Sequence, residues 1–97
     1  MKHKFAPEAA EDYQKVTLHY LAISKRLGHL FVQEVESGIE TIKKFPEAWP
    51  RVDSKTRCFF GRKFPYGIYY RIKDNTAFIG GIINLKQRPG LWKKRFK

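Results

Sequence analysis

Ninety-seven residues, 42% hydrophobic and 15% aromatic, suffice for one domain with a modest core and argue against a disordered chain. The single cysteine, Cys58, excludes an intrachain disulfide, and no apolar run approaches the roughly 20 residues that span a bilayer. The net charge of +11 is unevenly placed: residues 1–50 hold seven Lys/Arg and seven Asp/Glu, whereas residues 51–97 hold thirteen Lys/Arg against Asp53 and Asp74 alone, so the second half calls for an anionic partner.

Residues 1–10 lack the apolar stretch of a signal peptide, and with the lone thiol this makes a reducing cytoplasm the expected location. Residues 2–6 read as a short first strand. Pro7 then stands at a favourable first-turn position, and Glu8, Glu11 and Asp12 supply charges suited to a helix N-terminus. Ala9, Tyr13, Val16, Tyr20 and Ile23 recur at three- and four-residue steps, giving one apolar helical face that should end near residues 25–28, with Gly28 as the break. Leu27, Leu30, Phe31, Val35, Ile39 and Ile42 form the stripe of a second helix, stopped by Pro46. A turn this short predicts an antiparallel helical hairpin, and Trp49-Pro50 closes this half.

The remainder reads as sheet. Residues 57–63, 66–73 and 76–83 are rich in aromatic and β-branched side chains, and Asp74-Asn75 is a compact hairpin turn. Ile68, Tyr70 and Ile72 are placed on one face, with Tyr69, Arg71 and Lys73 on the other. The expected fold is α+β in two layers over one domain, residues 1–97: a helical hairpin packed on a small twisted antiparallel sheet, with a curved basic face outside.

Several runs carry a resemblance. They are Phe5-Ala6-Pro7-Glu8-Ala9, Leu27-Gly28 with Phe31, and Glu34-Val35 with Ile39 and Ile42. Pro46-Glu47-Ala48-Trp49-Pro50, Phe64-Pro65-Tyr66-Gly67-Ile68-Tyr69-Tyr70 and Arg88-Pro89-Gly90-Leu91-Trp92 complete them. In this order and spacing the chain resembles the RelE/ParE toxin superfamily over nearly its whole length. The resemblance implies a bacterial type II toxin neutralised by a cognate antitoxin, with operator DNA reached only through the antitoxin complex, no cofactor and no membrane partner. Two activities live on such a fold, and the fold does not choose between them. RelE-like members cut mRNA on the ribosome; ParE-like members inhibit DNA gyrase by protein contact.

Cutting RNA needs Lys, Arg, Tyr or His converging on one phosphate. Aligned on Tyr66, the positions where the RelE pattern has its two lysines and its arginine hold Cys58, Phe60 and Gly67. Asn84 stands where many members have a histidine, and Trp92, whose indole is neither acid nor base near neutrality, stands for a tail tyrosine. These departures favour the ParE-like branch and gyrase. The alternative is a ribosome-dependent endoribonuclease using Arg62, Arg71, Lys86 and Arg88. For contact with target or antitoxin the candidates are Arg57, Arg62, Lys63, Arg71, Lys86, Arg88, Trp92, Lys93, Lys94 and Arg95. A solvated basic sheet face, or a seat for an acidic antitoxin segment, accounts for the same cations. His3, His19, His29 and Cys58 have no metal-ligand spacing, and Cys58 reads as a small core residue. A plain nucleic-acid-binding module is the third reading, marked by steep salt dependence.

Overall fold

The computed structural model describes residues 1–87 and 90–96. Its elements run β1 (Lys2–Phe5), α1 (Pro7–Ile23), α2 (Lys25–Lys44), β2 (Arg57–Phe60), β3 (Tyr66–Lys73), β4 (Thr76–Asn84) and a closing 3₁₀ segment (Leu91–Arg95).

Pro7 opens α1 after an extended Ala6, because its fixed φ suits the first turn and its missing N–H has no helical partner to lose. The hairpin joint is a single residue, Ser24, not Gly28. Its extended backbone ends α1, donating its N–H to the Tyr20 carbonyl, and its hydroxyl accepts the Leu27 N–H at 3.0 Å to start α2. One serine therefore serves as both stop and cap. Gly28 lies inside α2, where a Cβ would overlap the Leu21 side chain; the glycine sets how closely the helices approach. Lys43 and Lys44 in the last turn of α2 complement the helix dipole before Pro46.

The sheet order is β1-β4-β3-β2, with β2, β3 and β4 antiparallel and β1 parallel to β4. The layers are those expected, but the sheet is mixed rather than antiparallel. The chain leaves β1 directly into the helical layer and returns through β2 and β3, so β1 meets β4 across a long crossover rather than a hairpin. Asp74 and Asn75 both take positive φ, 52° and 55°, as a two-residue type I′ turn requires.

The core joins Ala9, Phe31, Val35, Ile39 and Ile42 of the helices to Phe64, Ile68, Tyr70, Ala77, Ile79 and Ile82 of the sheet layer. Each large member contributes about 1.5–3 kcal/mol by leaving water. Ile79 and Ile82 are three apart, a spacing that plain alternation would send to opposite faces. The pairing shifts between Tyr69 and Tyr70, opposite Gly81 and Ile79, so Gly80 is an extra residue and both isoleucines reach the helices. Tyr70 is fully buried, and its hydroxyl donates to the Pro46 carbonyl at 2.7 Å. Among the described residues no helix is long and apolar enough to cross a membrane.

Candidate functional site

Strand alternation turns Cys58, Gly67, Tyr69 and Ile83 away from the helices. Cys58 pairs with Tyr69, and Gly67 with Ile83. Cys58, Ile83 and Trp92 are buried yet stand apart from the main core. Trp92, carried in by the 3₁₀ segment, stacks on Tyr69 with centroids 5.8 Å apart and planes 13° from parallel. The outer face at this end is thus a second apolar cluster sealed by the tail, where an open basic face was expected. The reason is local: the tail lays Trp92 on Tyr69, and Phe96 against Arg71 and the bare backbone of Gly80.

Cys58, Gly67 and Trp92 of this cluster are among the positions that the resemblance aligns with RelE-type functional side chains. Burial pushes the Cys58 thiol up to about 12, so it is no nucleophile near neutrality. Burial first, then the neighbouring Cys58, pushes the Tyr69 phenol up to about 12, which removes it as a base. At Gly67 a Cβ would stand 2.5 Å from the Cys58 sulfur, leaving no room for a phosphate clamp. Phe60 is exposed but has no ionisable group. Asn84 is occupied in the turn after β4, its Oδ1 accepting the Lys86 N–H at 2.8 Å.

Three of the expected contact cations are engaged inside the fold. Arg57 donates to the carbonyls of Glu47 and Trp49, at 3.1 and 2.7 Å. Arg71 donates from Nε to the Thr56 hydroxyl at 2.8 Å, approaches the Asp53 carboxylate at 3.7 Å and lies 4.4 Å over the Phe96 ring. Burial opposes the charge on Asp53, but the N–H groups of Lys55 and Thr56, with Arg71 beside them, hold its carboxyl below the usual range. Arg95 grips both oxygens of Asp12, at 2.7 and 3.3 Å, and also donates to the Gly80 carbonyl at 3.3 Å. Asp12 in turn accepts the Ile82 N–H at 3.1 Å. No local pattern in the sequence marks this link between α1 and the tail, where Asp12 reads only as a charge at a helix start.

Arg62, Lys63, Lys86, Lys93 and Lys94 are exposed. The loop bearing Arg62 and Lys63 is fastened by Glu34, whose carboxylate accepts the N–H groups of Lys63 and Phe64 at 2.8 and 3.3 Å. Arg88 lies outside the described residues. Tyr66 pairs with Asn84, next to the turn that holds Lys86, whereas Arg71 pairs with Phe78 toward the other end of the strand. Five residues of strand separate those ends by about 17 Å, so Arg71 and Lys86 do not converge. Among the described residues no group of three His, Cys, Asp or Glu is placed to hold a metal ion.

The helical layer offers a different surface. A largely apolar groove of about 380 Å³ runs between the helices and β1, lined by Phe5, Ala10, Tyr13, Thr17, Leu18 and Val32. Leu18, 58% exposed, continues into exposed Leu21 and Ile23 along α1. Tyr13 is tied across the hairpin to the Glu36 carboxylate at 2.8 Å. Beside the groove, Lys2 and Ala6 donate to the Asn75 and Ile79 carbonyls, so the alternate residues His3 and Phe5 aim their backbone groups away from β4, along an open edge.

Three comparisons bear on this arrangement. A sequence model described as the ParE toxin of the type II toxin–antitoxin system parDE matches residues 4–89. A solved chain of the chromosomal ParDE toxin–antitoxin system from P. aeruginosa superimposes with a TM-score of 0.63 at 19% identity, over 87% of this chain and 95% of that one. No curated protein sequence matches.

Proposed function

The chain belongs to the ParE toxin family of type II toxin–antitoxin systems, and from that premise we propose that it inhibits DNA gyrase by protein–protein contact in the cytoplasm and is silenced by a cognate antitoxin. The observation that carries the reading is the sealed outer cluster. Cys58, Gly67, Tyr69 and Trp92 fill with packing the ground on which RNA cleavage would need charge and an acid–base pair. The separation of Lys86 from Arg71 supports it further.

The exposed cations Arg62, Lys63, Lys86, Lys93 and Lys94 are the contacts offered to the target or to an acidic antitoxin segment. Arg57, Arg71, Trp92 and Arg95 shape that surface from within. The antitoxin lays an amphipathic helix in the apolar groove and adds an extended segment along the open edge of β1, so that its apolar face and its backbone are both satisfied. The test is a parallel pair of assays with purified protein. Supercoiling by gyrase should fall at stoichiometric toxin while ribosome-bound mRNA stays intact. Unchanged supercoiling together with ribosome-dependent cuts would reverse the assignment.

A further inference from the structure

Two rows of side chains cross the outer face near the β3–β4 turn, at the end of the sheet away from Cys58. The register aligns Lys2 with Thr76 and Thr76 with Lys73; the next row aligns Lys4 with Phe78 and Phe78 with Arg71. His3 meets Lys43 of α2 and Phe5 packs on Tyr13 of α1, so alternation sends Lys2 and Lys4 to the opposite face. Arg71 lies on that face over Phe96, and Lys73, two residues on, shares it. Same-face neighbours are about 7 Å apart along a strand and adjacent strands about 5 Å apart, which sets these lysines in a field about 10 Å across. Lys55 borders the same groove as Lys4 and Lys73.

All four lysines are exposed, and none forms an ion pair among the described residues. The acids nearby do not cancel them: Asp53 is committed to Arg71 and two backbone N–H groups, and Asp74 and Glu47 are single charges at the margins.

We propose that this lysine field binds the phosphate backbone of duplex DNA directly and without sequence preference. Lysine ammoniums are point charges lacking the planar fork that reads base edges, so they neutralise phosphates rather than select a sequence. A single strand would need free rings on which bases stack, but Phe96 lies beneath Arg71 and Phe78 is half-buried between strands. An acidic protein would need a central apolar anchor open to cover, and the ring at the centre of the field, Phe78, is already half-buried. The field faces away from the helical groove, so a helix seated there leaves it open. The inference goes beyond the gyrase reading and stands or falls separately from it.

The experiment is fluorescence anisotropy of a labelled 20-base-pair duplex of arbitrary sequence with the purified chain, between 50 and 200 mM KCl. Four neutralised phosphates give a log–log salt slope of about −3.6, or about 150-fold weaker binding across that range. The variant Lys2→Gln/Lys4→Gln/Lys73→Gln leaves about one contact, a slope near −0.9 and about a 3.5-fold loss over the same range. The control Lys15→Gln/Lys25→Gln/Lys44→Gln removes the same charge from the helical layer and keeps the parent slope. Equal reduction by both variants shows bulk charge alone and overturns the proposal. So does absence of binding by the parent, or tighter binding of a single strand of equal length or of polyglutamate.

Discussion

Asp12 holds together parts of the fold that are far apart in sequence, which makes its removal a stringent perturbation. Where β1 gives way to α1, β4 beyond Ile79 loses its strand neighbour, and the Asp12 carboxylate takes the Ile82 N–H in its place. The same carboxylate pairs with Arg95, the two side chains being 19% and 15% exposed. Asp12→Ala leaves the Ile82 N–H without its acceptor, at a cost of about 1–3 kcal/mol. Partial burial puts the ion pair between exposed pairs, worth under about 1 kcal/mol, and buried ones that cost about 3–5 kcal/mol to break, so about 2 kcal/mol is assigned to it. The expected loss is about 3–5 kcal/mol, a large share of the roughly 5–15 kcal/mol that holds a domain folded. Arg95→Ala spares the Ile82 hydrogen bond and should cost about 2 kcal/mol, with Asp12→Asn falling between the parent and Asp12→Ala. Urea unfolding followed by circular dichroism measures all three, provided the m-value is unchanged. If Asp12→Ala and Arg95→Ala cost the same, the β4 edge does not depend on this carboxylate.

Gly67→Ala drives a methyl against the Cys58 sulfur and should destabilise by about 1–3 kcal/mol. Adding Cys58→Ala should recover most of that loss in denaturant titrations, and strictly additive costs would refute the contact. Burial pushes Tyr69 and Tyr70 from 10.0, and Cys58 from 9.0, up to about 12 in the fold. The folded state thus favours the neutral forms, and this contribution is complete below pH 9 and declines as pH rises through 12. The melting temperature should be level near pH 8 and fall steadily from pH 9 to 12; a level profile to pH 11 would contradict it. Leu18→Glu places a charge on the apolar groove at an exposed site. It should leave the melting temperature within about 2 °C while weakening antitoxin binding by about tenfold or more, about 1.4 kcal/mol. Unchanged affinity by calorimetry would move the antitoxin off the hairpin.

The helical hairpin was legible because its two apolar stripes keep a 3.6-residue period, and the β3–β4 hairpin because Asp74-Asn75 tolerates the positive φ of a tight turn. Gly28 misled because a helix end and a close helix approach select the same residue type. The direction of β1 was hidden, since four residues with alternating burial look alike whichever way they run. The outer cluster was hidden for another reason: alternation puts Tyr69 on the outer face, but nothing local tells that Trp92 of the tail returns to cover it. Charge composition records how many cations there are, not which already have an acceptor, so it assigns Arg57, Arg71 and Arg95 to a partner. The link from Asp12 to Arg95 spans almost the whole chain, and no local pattern announces a pair at that separation.

The partnership of Lys2–Phe5 with Thr76–Asn84 also imposes an order of events during translation. The two helices can meet as soon as both have left the ribosome, because their contacts are near in sequence. The first strand has no strand to pair with until the fourth is made, and closing so long a loop is slow. During that interval the nascent hairpin displays its apolar side before Phe5 is fixed in the wall of the groove. An antitoxin already present in the cell could therefore meet the toxin while it is still being synthesised.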